Sequence, residues 1–280
     1  MLALLKKFFS KLVPHKSVPI EEPLDSPKKQ YEFHRLSVDE SGYFLNSKRI
    51  YKPDGILKKE TIDLVFNFAY GMTQGNAGEH RDHRSGGSHM RKAGEIFANT
   101  FQGKLSECAA CNFFWKYDKS IYPDFKQYKL GQWDTVDLTV QGKEIAVKST
   151  KYYGELLLME TKDWDKDGRY IPNADKNKSL YDCFMLVRIK PNCEDIMKAN
   201  RMLYTSVLNK DQLYRIISGQ KWEYNFAGFI TLDEYKYLIN NDYILPKGAK
   251  LNRKTVMDAE NYYIQSGDMH DMNCFEEMYL

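Results

Sequence analysis

The sequence predicts an α/β fold, with a central mixed β-sheet flanked by helices and extra C-terminal α+β elements. Three observations carry that reading. Two upstream stretches show apolar residues at helical spacing, a pair of β-rich runs then flanks a glycine-containing turn, and the last third alternates helix-like with strand-like segments. Residues 1–30 read as an N-terminal arm or linker, 31–200 as the core, and 201–280 as a C-terminal extension or subdomain packed on it.

A chain of 280 residues with 42% hydrophobic residues can bury a core of ordinary size, which excludes a disordered or fibrous class. Aromatic residues make up 14% and serve equally to fill a core or to stack on bases. Lys and Arg number 41 against 38 Asp and Glu, a net charge of +3, so polyanion binding would have to come from local clustering. The five cysteines lack the spacing of a secreted disulfide scaffold, and a reducing, cytoplasmic setting is expected. Cys108 and Cys111 form a CxxC without a second ligand pair at finger spacing, so two buried thiols are expected in preference to a zinc site.

In the N-terminal MLALLKKFFSKLVPHK, Lys6, Lys7 and Lys11 break the apolar run that a signal peptide needs, and no stretch approaches a membrane span of about 20 apolar residues. A frayed tail or docked helix is expected over a basic amphipathic helix on a membrane surface. Four prolines among charged residues make 14–30 an extended arm. Ile62, Leu64, Val65, Phe66 and Phe68 place a helix between Lys58 and Tyr70, ended by the glycines of GMTQGNAGEH. HRDHRSGGSHMRK, residues 80–92, is a basic glycine-containing loop suited to close approach to phosphates, with a solvated connector as the competing reading. A second amphipathic helix runs from Arg91 to about Cys108 on Ala93, Ile96, Phe97, Thr100, Phe101 and Leu105, with Glu95 near its first turn.

WDTVDLTV and EIAVKST flank Gln141, Gly142 and Lys143 and read as a β-hairpin. In that hairpin Asp137 stands near the start of the first strand and Lys148 near the end of the second, at the same open end. YGELLLMETKDW is a short helix or a strand, DKDGRYIPNADKNKS a polar loop, and CFMLVRIKP a buried strand. Beyond it, DQLYRIIS and TLDEYKYLI read as helices, and FAGFI and NYYIQS as strands.

A carboxylate on one strand and a lysine on the next match the needs of phosphodiester hydrolysis, where a carboxylate-held Mg²⁺ and an ammonium stabilise a pentavalent transition state. The run D-L-T-V-Q-G-K-E-I-A-V-K-S-T resembles the central motif of the PD-(D/E)XK nuclease superfamily, in which an Asp opens one strand and an acid, any residue and a Lys close the next. The resemblance covers about Arg91 to Pro191. It implies a restriction-endonuclease-like core in 31–200, with Asp137 as first metal ligand, Lys148 positioning or activating the water and the Val147 carbonyl completing the coordination. Glu95 matches the additional helical Glu of some members. Mg²⁺, replaceable by Mn²⁺, is the implied cofactor.

One position departs from the motif, because the acid expected two residues before Lys148 is Ala146. Replacement by engineering, migration of the carboxylate and a naturally inactive relative all explain it, and the intact surroundings favour the first. Glu144 shares a strand face with Ala146 and Lys148 and is a further candidate metal ligand, with Glu155 and Glu160 as other acids. Asp134 competes with Asp137 as first ligand. His80, Arg81, Arg84 and Arg91 are expected to contact DNA phosphates, and Lys151 to line the same groove with Tyr152 and Tyr153, although a Tyr pair is more often core.

The implied function is a Mg²⁺-dependent endonuclease on double-stranded DNA, of type II restriction or anti-phage defence, acting as a homodimer or larger homo-oligomer. A repair or junction nuclease, or a noncatalytic DNA-binding protein that keeps the fold, is the alternative.

Overall fold

The computed structural model describes residues 31–73, 91–126, 137–172 and 179–279. In chain order they form β1 (Ser37–Asp39), β2 (Gly42–Phe44), β3 (Gly55–Ile56), α1 (Lys59–Gly71), α2 (Ala93–Phe114), β4 (Leu138–Val140) and β5 (Lys143–Lys151). There follow β6 (Leu156–Glu160), β7 (Cys183–Lys190), α3 (Cys193–Ala199), α4 (Lys210–Ser218), β8 (Glu223–Thr231), α5 (Leu232–Asn240), β9 (Ile244–Leu245), β10 (Lys250–Leu251), β11 (Thr255–Val256), β12 (Asn261–Gln265) and α6 (Phe275–Tyr279). No helix among the described residues is long and apolar enough to cross a membrane.

The main sheet has the order β3-β8-β7-β5-β4 and is mixed: β4 and β5 are antiparallel, β5 and β7 parallel, and β8 antiparallel to both β7 and β3. An α/β architecture on a mixed sheet was expected, and that is what forms. Two smaller sheets, β6-β12-β9 and β1-β2-β10-β11, accompany it.

Alternation along the strands creates two cores, one on each face. Ile145, Val147, Met185, Val187 and Ile189 share the first with Phe66 of α1, Phe97, Phe101 and Leu105 of α2, Met197 of α3 and Leu213 of α4. Ala146, Phe184 and Leu186 face the other way and share the second with Leu157 and Met159 of β6, Tyr263 and Ile264 of β12, and Tyr235 and Leu238 of α5. One face of the sheet is therefore covered by helices and the other largely by a second sheet. Aromatic residues fill both cores: Trp164, Tyr170, Tyr181, Phe184 and Tyr235 pack ring to ring in the second, and Phe66, Phe97, Phe101 and Trp222 in the first.

The second helix continues past Cys108 to Phe114, since it carries apolar side chains on several faces and packs on both α1 and the sheet. YGELLLMETKDW resolves as a strand, β6, followed by a 3₁₀ turn at Thr161–Asp163. Segment 201–280, expected as an extension packed on the core, contributes β8 to the main sheet and β9 and β12 to the three-stranded one. Phe33–Leu280 forms one compact unit. The N-terminal arm lies outside the described residues.

Candidate active site on the hairpin

The hairpin closes through Gln141 and Gly142, both at positive φ (48° and 80°), which is the backbone of a two-residue type I′ turn. Leu138 pairs with Ile145, Thr139 with Glu144 and Val140 with Lys143. Continuing that register by one step brings Asp137 level with Ala146. The Asp137 carboxylate turns onto the neighbouring strand, where its Oδ2 accepts the backbone N–H of Val147 at 2.7 Å.

Strand β5 is three times as long as β4, nine residues against three, so Lys148 stands in its middle and not at its end. It pairs with Leu186 of β7 and, by alternation, shares the face of Ala146. Among the described residues the half-buried Lys148 has no hydrogen bond and no ion pair, so its ammonium is uncommitted. The hairpin thus carries Asp137, Ala146 and Lys148 on neighbouring strand positions, with Lys148 mid-strand and not at the open end. Ala146 is fully buried (0% exposed) in the second core, beside Phe184 on β7.

The other expected residues are placed elsewhere. Glu95 accepts the Lys92 backbone N–H at 2.9 Å at the start of α2. That helix meets β5 further along, where the Ser106 and Ser149 hydroxyls lie 2.8 Å apart, and Glu95 is three turns earlier, about 16 Å along the axis. The start of α2 also packs near Met202–Thr205, with the Gly94 N–H donating to the Thr205 carbonyl. Glu95 is therefore not brought to Asp137. Glu144 accepts the Thr139 hydroxyl at 2.9 Å across the hairpin. Glu155 is tied to the fully buried Arg188 at 2.7 Å and to the Ser266 hydroxyl, and Glu160 lies 3.5 Å from Lys162. Lys151 pairs with Glu194 at 3.2 Å, which engages a cation expected to face DNA. Tyr152 packs edge to face on Tyr51 and Tyr153, while Tyr153 is exposed. Arg91 precedes α2 and is half-buried. His80, Arg81, Arg84 and Asp134 lie outside the described residues.

Cys108 and Cys111 are buried in α2, and burial pushes the Cys108 thiol up to about 12 and the Cys111 thiol higher still. A cleft of about 290 Å³ opens beside the first strand, bordered by Asp118, Tyr122, Asp124, Asp137 and Thr139. No motif in the sequence marks its far wall, because residues 118–124 approach the hairpin only through the fold. Among the described residues no group of three or more His, Cys, Asp or Glu side chains is arranged to hold a metal ion. Comparison of the chain with family models, with curated proteins and with solved structures finds no match.

Proposed function

We propose that the chain is a metal-dependent endonuclease acting on double-stranded DNA, with a restriction-endonuclease-like core of the PD-(D/E)XK kind and a role in type II restriction or anti-phage defence. The observation that supports it most is the presence on one hairpin of the Asp137 carboxylate and of a Lys148 ammonium without an ion pair among the described residues. A half-buried cation with no ion pair among the described residues is a ready counter-charge for a phosphate oxyanion. Asp137 is held in one orientation by the Val147 N–H, which leaves Oδ1 to meet a cation or a water.

Mg²⁺ is usually held by one or two protein carboxylates with water and phosphate oxygens completing its shell. The described residues supply Asp137 alone at this position, Ala146 supplies no ligand, and Glu144 is engaged with Thr139. Among the described residues that donor set is incomplete for Mg²⁺. The burial of Ala146 in apolar packing favours a second reading, a noncatalytic DNA-binding protein that keeps the fold.

A panel of labelled duplexes incubated with the full chain and Mg²⁺ or Mn²⁺ separates the two. Discrete products that disappear in both Lys148→Ala and Asp137→Asn support the nuclease. Duplex binding in a gel shift without products supports the noncatalytic protein, and neither binding nor products removes both.

A further inference from the structure

On the helix-covered side of the sheet, where β5 ends and α3 begins, lies a cleft of about 190 Å³ bordered by Gln102, Gly103, Thr150, Lys151, Asn192 and Glu194. Three features of its wall point to a ligand. Asn192 is 2% exposed and its Nδ2 has no hydrogen-bond partner among the described residues, which leaves a buried donor unsatisfied. Gln102 accepts the Cys193 N–H through Oε1 at 3.3 Å, so its amide is oriented while its Nε2 has no partner among the described residues. Gly103 sits inside α2, and a Cβ there would meet nothing within 4 Å. No neighbour demands a glycine at that position, although glycine is a poorer helix former than alanine. Its missing side chain keeps the cleft open.

The chemistry of the wall selects the ligand. Its acceptors are largely committed, Gln102 Oε1 to Cys193 and the Glu194 carboxylate to Lys151 at 3.2 Å and Lys198 at 2.5 Å. Among the described residues the uncommitted donors are the amides of Asn192 and Gln102, with the Lys151 ammonium beside them. Glu194 keeps Lys198 as partner if Lys151 turns toward a ligand. From this surplus of donors we infer that the cleft is a binding site for a phosphate oxyanion. The assignment rests on the cleft alone and does not require the chain to be a hydrolase; the oxyanion is either a free phosphate or a nucleic-acid backbone phosphate.

The test is titration of the ¹⁵N-labelled full chain with inorganic phosphate at constant ionic strength, following the side-chain amide resonances of Gln102 and Asn192. A parallel arm uses a short duplex, and a third uses a nucleoside without phosphate. Saturable shifts with phosphate are expected, weakened about tenfold or more in Lys151→Met, the usual scale for loss of a charged hydrogen bond. Gly103→Leu should abolish them by filling the cleft, while Gly103→Ala should weaken them without lowering the melting temperature. Matching shifts with the duplex identify a backbone phosphate; shifts with phosphate alone identify a free one. The assignment is overturned if phosphate causes no saturable shift, if the nucleoside shifts these amides and phosphate does not, or if Gly103→Leu binds like the parent chain. No arm depends on cleavage, so failure here leaves the nuclease reading standing, and the reverse also holds.

Discussion

Ala146 stands at the centre of β5 beside Phe184, where a carboxylate would be stripped of water. An uncompensated buried charge costs about 3–5 kcal/mol, and Lys148 on the same face can offset part of that. Ala146→Asp is therefore expected to unfold at lower denaturant concentration than the parent in the absence of metal. If Asp137 and position 146 together form a cation site, Mg²⁺ or Mn²⁺ will raise the stability of the variant and leave the parent nearly unchanged, since a ligand stabilises only the state that binds it. Urea titrations with and without metal check this; an equal metal response in both chains would show that a carboxylate at position 146 does not join Asp137 in a cation site. The placement of Asp137 and Lys148 on one hairpin was legible from two strands around a glycine turn. The isolation of Glu95 was not, because its distance from Asp137 depends on how α2 crosses the sheet, which no local spacing encodes.

Among the elements, the hairpin is the one most fully specified by its own residues. Gly142 lies at φ +80° with nothing within 4 Å of an added Cβ, so a substitution there meets backbone strain and no clash. Gly142→Val should cost about 1–2 kcal/mol, the penalty for an L side chain in the left-handed region. Gln141→Asn should be neutral or mildly stabilising, as Asn tolerates that region better. Chemical denaturation of the two variants measures both effects, and an unchanged midpoint in Gly142→Val would contradict the type I′ assignment. The amphipathic stripe of α1 and the apolar run of β7 were equally readable. The short strands were not: β2 meets β10 through Tyr43 and Leu251, two residues joined only by the whole intervening fold. Pairs of two or three residues carry too little alternation to announce themselves.

For the whole molecule, the two cores lie back to back on one sheet, and the contacts that tie the C-terminal third to them include ionisable groups. Burial raises Glu234, but the His270 ring at 2.6 Å and the Thr231 N–H outweigh it and hold its carboxyl below the ordinary range. A carboxyl lowered in the folded state stabilises above its unfolded pKa of about 4.3, and that contribution is lost as the pH falls through the folded value. Stability measured by denaturation should accordingly fall on acidification below about pH 4.3, with a shallower fall in Glu234→Gln. An identical acid limb in the two chains would assign the loss to other groups.

Strand β8 lies between β3 and β7, yet its residues are among the last third to leave the ribosome. At roughly 5–20 residues per second, β7 waits for seconds with one row of N–H and C=O groups unpaired, during which a neighbouring nascent chain offers the same hydrogen bonds. Biosynthesis of this protein is thus exposed to strand exchange between chains on one polysome until β8 arrives and takes the place beside β7.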